Sequence, residues 1–116
     1  MHERSIAKNL LKIALEKASQ FNQKAKIERI RVVVGEFTMI HDELLINAFY
    51  SLAYSTNAEK AIIEIIHSSL QGQCQQCLKT FPINKEAFQC PFCGSAQIDI
   101  VSGNELYIKD MDVIDP

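Results

Sequence analysis

The stretch that decides the fold reads Cys74-Gln75-Gln76-Cys77 and, after twelve intervening residues, Cys90-Pro91-Phe92-Cys93-Gly94. Two CxxC pairs at this spacing are typical of a zinc site, because each turn aims two thiolates at one ion and two turns complete a tetrahedral shell. Gly94 gives the second turn the positive φ that such turns often need. The sequence therefore predicts one Zn²⁺ held by four cysteines, namely Cys74, Cys77, Cys90 and Cys93.

Disulfide bonds and a redox-active dithiol are the competing interpretations of these cysteines. A cytosolic chain keeps its thiols reduced, which disfavours two structural disulfides. A redox CxxC normally opens a helix, whereas these pairs stand among short polar segments rich in turn residues. We therefore favour zinc over both. A shell of four thiolates leaves no vacant position, so we expect this zinc to be structural and to perform no chemistry.

The cysteine pairs are predicted to lie in a module of their own, residues 70–104. All four cysteines, two of the three prolines and half of the glycines fall between Gly72 and Gly94. A segment of ~35 residues is too small to stabilise its own core, so metal binding would supply its folding free energy. We expect the three phenylalanines of the module, Phe81, Phe88 and Phe92, to form its small core.

The segments on both sides of this module predict an α/β domain. Ala61–His67 is rich in isoleucine and Glu105–Met111 alternates apolar and polar residues, so both are predicted strands. Lys26–Phe37 is a third predicted strand, with Ile30, Val32 and Val34 on one face. The helix predicted between Lys26–Phe37 and Ala61–His67 favours a right-handed parallel crossover between these two strands.

Two helices complete the predicted domain. In the first, from Ile6 to Phe21, apolar residues recur at helical spacing at Ile6, Leu10, Ile13, Ala14 and Phe21, and Leu11, Leu15 and Ala18 widen the stripe. In the second, Asp42 is the expected N-cap, and one face carries Leu45, Ala48, Phe49, Leu52 and Ala53. The predicted fold is α/β, a small mixed three-stranded sheet packed by two helices with an inserted four-cysteine zinc ribbon. The predicted domains are 1–69 plus 105–116, and 70–104.

Composition excludes several classes of protein. A chain of 116 residues with 47% hydrophobic and 22% charged residues fits a small globular protein. No apolar stretch approaches the ~20 residues of a membrane span, and no signal-peptide pattern opens the chain, so we expect a cytosolic protein without membrane association. The net charge of −2 lacks the basic excess typical of nucleic-acid binders.

Some further patterns bear on function. Arg4, Lys8 and Lys12 follow at i, i+4 spacing and so line one helix face, which we interpret as a solvated face rather than a docking stripe. The sequence contains no Ser/His/Asp arrangement, glycine-rich phosphate loop or paired-carboxylate motif. We therefore expect a protein that is not an enzyme.

The N-terminus groups several nitrogen donors. The His2 imidazole, the His2 backbone nitrogen, the Met1 amine and the Glu3 amide lie within chelating distance of one another. Square-planar nitrogen coordination suits Ni²⁺ and Cu²⁺, whereas Zn²⁺ is better served by the cysteines. A single histidine before a helix is equally well an exposed residue without a ligand, so this motif alone leaves both interpretations open.

Taken together, four features resemble the HypA/HybF family along the whole chain: Met1-His2-Glu3, Val34-Gly35-Glu36, the two cysteine pairs, and Gly103-Asn104-Glu105-Leu106. Members of that family are cytosolic accessory proteins that insert nickel into [NiFe]-hydrogenase and, in some organisms, also serve urease. The resemblance implies a nickel domain that carries the Met-His-Glu motif and a zinc domain with four cysteine ligands. It thus implies a nickel metallochaperone with structural Zn²⁺ and transferred Ni²⁺.

The resemblance also implies ligands and partners. Nickel would be bound by His2 with backbone nitrogen from Met1 and Glu3, and His41 or Asp42 in the loop after the first strand would supply a further contact. The implied partners are a HypB-type GTPase, the hydrogenase large subunit and possibly urease accessory proteins, with no nucleic acid. The rival hypothesis is a zinc-ribbon adaptor that only mediates protein or nucleic-acid contacts.

Overall fold

The computed structural model describes residues 2–84, 86 and 88–115. The elements follow in the order α1 (Glu3–Phe21), β1 (Lys26–Gly35), a 3₁₀ turn (Glu36–Thr38), α2 (Asp42–Ala53), β2 (Ile62–Ser68), β3 (Gln71–Cys74), β4 (Thr80–Pro82), β5 (Ile98–Ser102) and β6 (Leu106–Ile114). One three-stranded sheet has the order β2-β1-β6 and the other the order β4-β3-β5. The predicted fold class, two helices with a small sheet and an inserted four-cysteine module, is confirmed.

The chain divides into two compact units. The first, here called the helical unit, contains the described residues of Met1–Val33, Ile40–Ile66 and Tyr107–Pro116. The second, here called the cysteine unit, contains those of Val34–Met39 and His67–Leu106. The cysteine unit therefore includes the buried end of β1, Val34 and Gly35, as well as the cysteine-bearing insertion. No helix in the described part of the chain is long and apolar enough to span a bilayer.

The core of the helical unit is built from α1, α2 and β1. Leu45, Phe49 and Ala53 are buried on α2, as predicted from their helical spacing, and α1 contacts α2. On α1 the buried residues are centred on small side chains: Glu3, Ala7, Leu10, Leu11, Ala14 and Ala18. The predicted stripe is wrong for Ile13 and Phe21, which are 46% and 70% exposed, because the alanine-rich side of α1 allows the closer approach.

Ile30, Val32 and Val34 of β1 are buried as predicted, but Val33, predicted on the opposite face, is buried as well. Arg29 and Arg31 lie on the other face of β1, where they contact carboxylates of both neighbouring strands: Glu64 on β2, and Asp110 and Asp112 on β6. The Ile27 N–H also donates to the Asn57 carbonyl, just before β2. These contacts agree with the sheet order β2-β1-β6, in which β1 lies between the other two strands.

The end of β1 and the start of α2 differ from the sequence prediction. β1 ends at Gly35 instead of Phe37, because the Thr38 hydroxyl donates to the Gly35 carbonyl at 2.7 Å and Met39 follows with φ of 58°. The N-cap of α2 is His41, whose Nδ1 accepts the Leu44 N–H at 3.5 Å. The prediction of Asp42 as the N-cap was therefore wrong by one residue.

Two glycines of the sequence motifs meet inside the cysteine unit. A β-carbon on Gly35 would lie 2.2 Å from the carbonyl oxygen of Gly103, and one on Gly103 would lie 2.5 Å from the Leu70 Cα. The Gly35 N–H donates to the Glu105 carbonyl and the Phe37 N–H to the Gly103 carbonyl, each at 2.7 Å. Only glycine allows this backbone approach, since both obstacles are backbone atoms that cannot rotate away.

Candidate metal centre

Four thiols converge in the cysteine unit. The Sγ atoms of Cys74, Cys77, Cys90 and Cys93 all lie within 4.8 Å of one another, the one group of three or more His, Cys, Asp or Glu side chains at metal-binding distance among the described residues. Two S···S contacts join the two CxxC turns, Cys74 to Cys93 at 3.4 Å and Cys77 to Cys90 at 3.7 Å. A tetrahedral zinc with Zn–S bonds of ~2.3 Å places its sulfurs about 3.8 Å apart. The four thiols therefore fit one such ion.

The same distances disfavour the other interpretations of the cysteines. All four are free thiols, and a disulfide requires a separation of about 2.05 Å. Neither CxxC pair opens a helix, because β3 ends at Cys74 and turns follow both first cysteines. A closed group of four sulfurs is the geometry of a structural metal centre rather than of a redox dithiol.

Each CxxC turn directs backbone N–H groups at its first sulfur. Cys77 and Gln76 donate to the Cys74 Sγ at 3.5 and 3.4 Å, and Phe92 donates to the Cys90 Sγ at 3.4 Å. The Cys77 N–H, with help from that of Gln76, lowers the pKa of Cys74 to about 6. Hydrogen bonds of this kind favour the thiolate, which is the form that binds a metal ion.

The two thiols of the second turn differ in the direction of their pKa shifts. Burial raises the pKa of Cys90, but the N–H groups of Cys93 and Phe92 outweigh it, so that this pKa is lowered. The Ser95 N–H lowers the pKa of Cys93, yet the neighbouring thiols of Cys74, Cys90 and Cys77 together raise it to about 11. A divalent cation would remove this conflict, because it stabilises every thiolate at once.

The core beneath the site is small. It consists of Leu70, Cys74, Phe81, Ile83 and Cys90, so that two of its five members are cysteines of the site. The expectation that all three phenylalanines form this core is correct for Phe81 but wrong for Phe88 and Phe92, which are 45% and 58% exposed. Phe92 instead packs edge-on against Phe81, with ring centroids 6.5 Å apart, and the Lys79 ammonium lies 4.7 Å above its ring.

One functional position in the first turn was missed from the sequence. Leu78 follows Cys77 as Gly94 follows Cys93, and both have positive φ, 63° and 80°. Each also closes its turn through its N–H, Leu78 to the Cys74 carbonyl at 3.0 Å and Gly94 to the Cys90 carbonyl at 2.9 Å. The equivalence of the two CxxC motifs could have predicted the positive φ of Leu78 from that expected for Gly94. A leucine by itself does not indicate a left-handed backbone conformation.

The second candidate site lies where α1 begins. His2 is exposed and occupies the N-cap position of α1, but its side chain makes no capping hydrogen bond. His2, Glu3 and Arg4 line an open hollow of about 410 Å³ together with Ser5, Leu44 and Ala48. The predicted Met1 amine lies outside the described residues. The His2 imidazole is thus presented at the rim of a surface hollow instead of being used to cap the helix.

Glu3 anchors this end of α1. Its side chain is buried, and its Oε2 accepts the His41 N–H at 3.1 Å. That hydrogen bond and the Glu3 N–H together hold the pKa of Glu3 below its usual range. The start of α1 is therefore tied to the start of α2, a link between residues far apart in sequence that no local pattern announces.

The loop residues His41 and Asp42 lie near Glu3, because the backbone N–H of His41 donates to the Glu3 carboxylate. The His41 Nδ1 is engaged with the Leu44 N–H, and Asp42 opens α2. Within the described range their side chains do not join those of His2 and Glu3 in a group of three potential metal ligands. The structure thus brings the four cysteines together as predicted, and near His2 it brings together Glu3 and the His41 backbone.

Fold and site define a class: a small two-unit protein with a four-thiol metal centre in one unit and an exposed histidine opening the first helix of the other. Comparison with known families assigns the chain more closely. The family described as "Hydrogenase/urease nickel incorporation, metallochaperone, hypA" matches residues 1–113. The chain therefore belongs to the HypA family, the nickel metallochaperones of hydrogenase maturation, as its motifs predicted.

Relatives and solved structures agree with this assignment. The chain is 33% identical to a hydrogenase maturation factor HypA of Dehalococcoides mccartyi, covering 99% of this chain and 96% of the relative. It is 32% identical to that of Rhizobium leguminosarum bv. viciae, covering 98% and 100%. A solution structure of the Ni metallochaperone HypA from Helicobacter pylori matches with a TM-score of 0.71 at 28% identity, covering 98% of each chain. Another HypA solution structure gives 0.76 at 27%, covering 98% and 97%.

Proposed function

We propose that this protein binds Ni²⁺ at its N-terminus and delivers it to [NiFe]-hydrogenase during maturation, and that Zn²⁺ holds the cysteine unit together. The observation that carries the nickel site is the exposed His2 imidazole, which opens α1 without capping it. A histidine that neither packs nor caps is available as a ligand. Membership of a nickel metallochaperone family supports Ni²⁺ as the metal.

The proposed nickel ligands are the His2 imidazole and backbone nitrogen from Met1 and Glu3. The hydrogen bond from the His41 N–H to Glu3 supports this proposal, because it fixes the first turn of α1 directly beside His2. Nitrogen ligands of this kind suit Ni²⁺. A further contact from His41 or Asp42 would require the His41 side chain to leave the Leu44 N–H.

Zinc is the proposed resident of the cysteine unit. The four Sγ atoms that lie within 4.8 Å of one another would hold it, and the N–H groups directed at Cys74 and Cys90 would stabilise the thiolates. A closed shell of four sulfurs supplies folding free energy and offers no position for a reactant. We accordingly propose that the protein acts by binding and transfer and not as an enzyme.

Transfer would occur by ligand exchange. Nickel at an exposed terminus is released when a docked recipient offers better ligands. Backbone nitrogen must lose a proton and imidazole must be neutral to bind nickel, so the affinity is expected to fall on acidification. The partners we propose are a HypB-type GTPase and the hydrogenase large subunit, with urease accessory proteins as a further possibility, in the cytosol.

Calorimetric titration of the zinc-loaded protein with Ni²⁺ tests this proposal. Loss of a direct ligand should cost more than the roughly 10- to 100-fold loss typical of groups that only orient a ligand, so we expect His2→Ala to weaken binding by more than about 100-fold. An uncleaved N-terminal tag should have a similar effect. His41→Ala is the matched control, because it removes a nearby imidazole and should change affinity far less.

Two outcomes would contradict the proposal. If His2→Ala binds nickel as tightly as the wild type, the N-terminal site is wrong. If the wild type binds no nickel but retains zinc and its fold, the zinc-ribbon adaptor becomes the better hypothesis. Hydrogenase activity in cells that carry each variant provides the biological readout.

A further inference from the structure

The exposed face of α1 carries a row of cations that the nickel site does not use. Arg4, Lys8 and Lys12, here called the basic stripe, are all exposed. At 1.5 Å per residue the stripe extends over about 12 Å of the helix. It begins beside His2, because Arg4 lines the same hollow as His2.

Between described residues, the stripe cations form no ion pair. The ion pairs found there involve Arg29 or Arg31 on the sheet. Of the two acidic residues on α1, Glu3 is buried and bonded to the His41 N–H, which leaves Glu16 as the exposed acid. The stripe is thus a local excess of positive charge on a chain whose net charge is −2.

The surface around the stripe has further features of a docking site. A second open hollow of about 480 Å³ lies along α1 and is lined by Lys8, Asn9, Leu11, Lys12, Leu15 and Glu16. In the first hollow Leu44 is 54% exposed. Apolar side chains beside unpaired cations suit a protein surface that offers carboxylates and aliphatic groups together.

In place of the solvated face inferred from the spacing alone, we propose that the basic stripe docks an acidic segment of the protein that receives or loads the nickel, and so brings that partner's metal ligands to His2. The inference rests on the proposed nickel function. A cationic surface repels free Ni²⁺, so the stripe does not collect the metal. Its charge instead complements a partner, and docking would direct approach to the end of α1 where the cargo is held.

Carboxylates are favoured over phosphates as the occupant. Three cations along one helix are few for a nucleic acid or an anionic membrane, whose binding grows with each neutralised charge. Acidic groups elsewhere on this net-negative chain would also repel a long polyanion. The exposed Leu44 and the leucines of the second hollow would find no apolar contact on a phosphate backbone.

The first test maps binding on the zinc-loaded, ¹⁵N-labelled full chain, with hexaglutamate as the probe. We expect chemical-shift changes confined to the stripe and the His2 hollow, weakening with salt because screening shortens the reach of surface charges to about 10 Å at 0.1 M. Lys8→Glu with Lys12→Glu should lower the affinity about tenfold, because two weak exposed attractions are replaced by repulsions. Lys24→Glu with Lys60→Glu changes the net charge equally at exposed positions elsewhere and should have little effect.

The proposal is overturned if both double variants lose affinity equally, or if the shifts fall outside the stripe. It is also overturned if a single-stranded oligonucleotide or phosphatidylglycerol vesicles bind the stripe more tightly than hexaglutamate. These measurements use nickel-free protein, so they are independent of whether the N-terminal metal site exists.

A second test follows nickel transfer to the hydrogenase large-subunit precursor. We expect Lys8→Glu with Lys12→Glu to bind nickel like the wild type but to transfer it about tenfold more slowly at low salt, with the difference shrinking at high salt. Equal, salt-independent transfer would refute the docking stripe and leave the nickel site intact. Absence of nickel binding in the wild type would instead refute the proposed function.

Discussion

At the scale of single residues, the two CxxC turns show how similar backbones are filled by different side chains. Leu78 and Gly94 have matching positive φ angles and matching closing hydrogen bonds. A β-carbon in the left-handed region costs roughly 1–2 kcal/mol. Leu78 bears that cost while remaining 66% exposed, so little burial offsets it.

Substitutions at Gly94 and Leu78 should change the free energy of unfolding in opposite directions. Gly94→Ala should lower the free energy of unfolding of the zinc-loaded cysteine unit by about 1 kcal/mol, although the new β-carbon would meet nothing closer than 3.9 Å. Leu78→Gly should be slightly stabilising, by about 0.5 kcal/mol, because relieved strain exceeds the added entropy of the unfolded chain. Denaturant titration measures both, and a strongly destabilising Leu78→Gly would contradict the account.

Glu105 supplies a residue-scale prediction about pH. Its carboxylate accepts the Gly103 N–H at 2.6 Å and the Ser68 hydroxyl at 3.1 Å. Its own N–H and that of Gly103 lower the pKa of Glu105. A lowered pKa means that the stabilisation is complete above the ordinary value of about 4.3 and is lost as pH falls through the folded value.

We therefore expect Glu105→Gln to destabilise the cysteine unit at pH 7, and the difference from wild type to narrow at pH 4. Denaturant unfolding of both proteins measures this difference at each pH at which both retain zinc, because loss of the metal would itself unfold the unit. Glu86→Gln, at an exposed position, is the control and should change little. If the stability difference between Glu105→Gln and the wild type grew on acidification, the inferred direction of the Glu105 pKa shift would be wrong.

At the scale of elements, periodicity predicted which helices and strands form but not how they end. The buried faces of β1 and α2 follow directly from apolar spacing, because side-chain direction repeats with the backbone. On α1 the prediction failed only at its edges, for Ile13 and Phe21, because the close packing of alanines sets which side of the helix is buried. The end of β1 depends on a hydrogen bond of Thr38, and the start of α2 depends on one of His41. Several neighbouring polar residues are equally able to make such hydrogen bonds, so the sequence does not fix either boundary.

The β4-β3-β5 sheet provides the prediction at this scale. Its core is small and includes two cysteines, so removal of the metal should unfold it. We expect chelation, or Cys90→Ala, to abolish amide protection in β3–β5 while α1 and α2 stay protected. Gln76→Ala, at an exposed position of the first turn, should leave protection intact. Native-like protection of β3–β5 in metal-free Cys90→Ala protein would refute metal dependence.

At the scale of the whole molecule, the two proposed metal sites differ in how far the sequence predicts them. The cysteine site was predictable residue by residue, because CxxC turns fix two ligands each by local geometry alone. The link between Glu3 and His41, and the pairing of Arg31 with Asp110 and Asp112, join residues far apart in the chain. Such contacts follow from tertiary packing, which hydropathy patterns do not encode.

This separation leads to the central claim, that nickel and zinc occupy different sites of different chemistry. Nickel K-edge X-ray absorption on the zinc-loaded protein tests it most directly. The account predicts nickel bound by nitrogen and oxygen ligands without sulfur, an imidazole contribution that disappears in His2→Ala, and full retention of zinc. Sulfur ligands to nickel, or zinc released in proportion to the nickel bound, would contradict it.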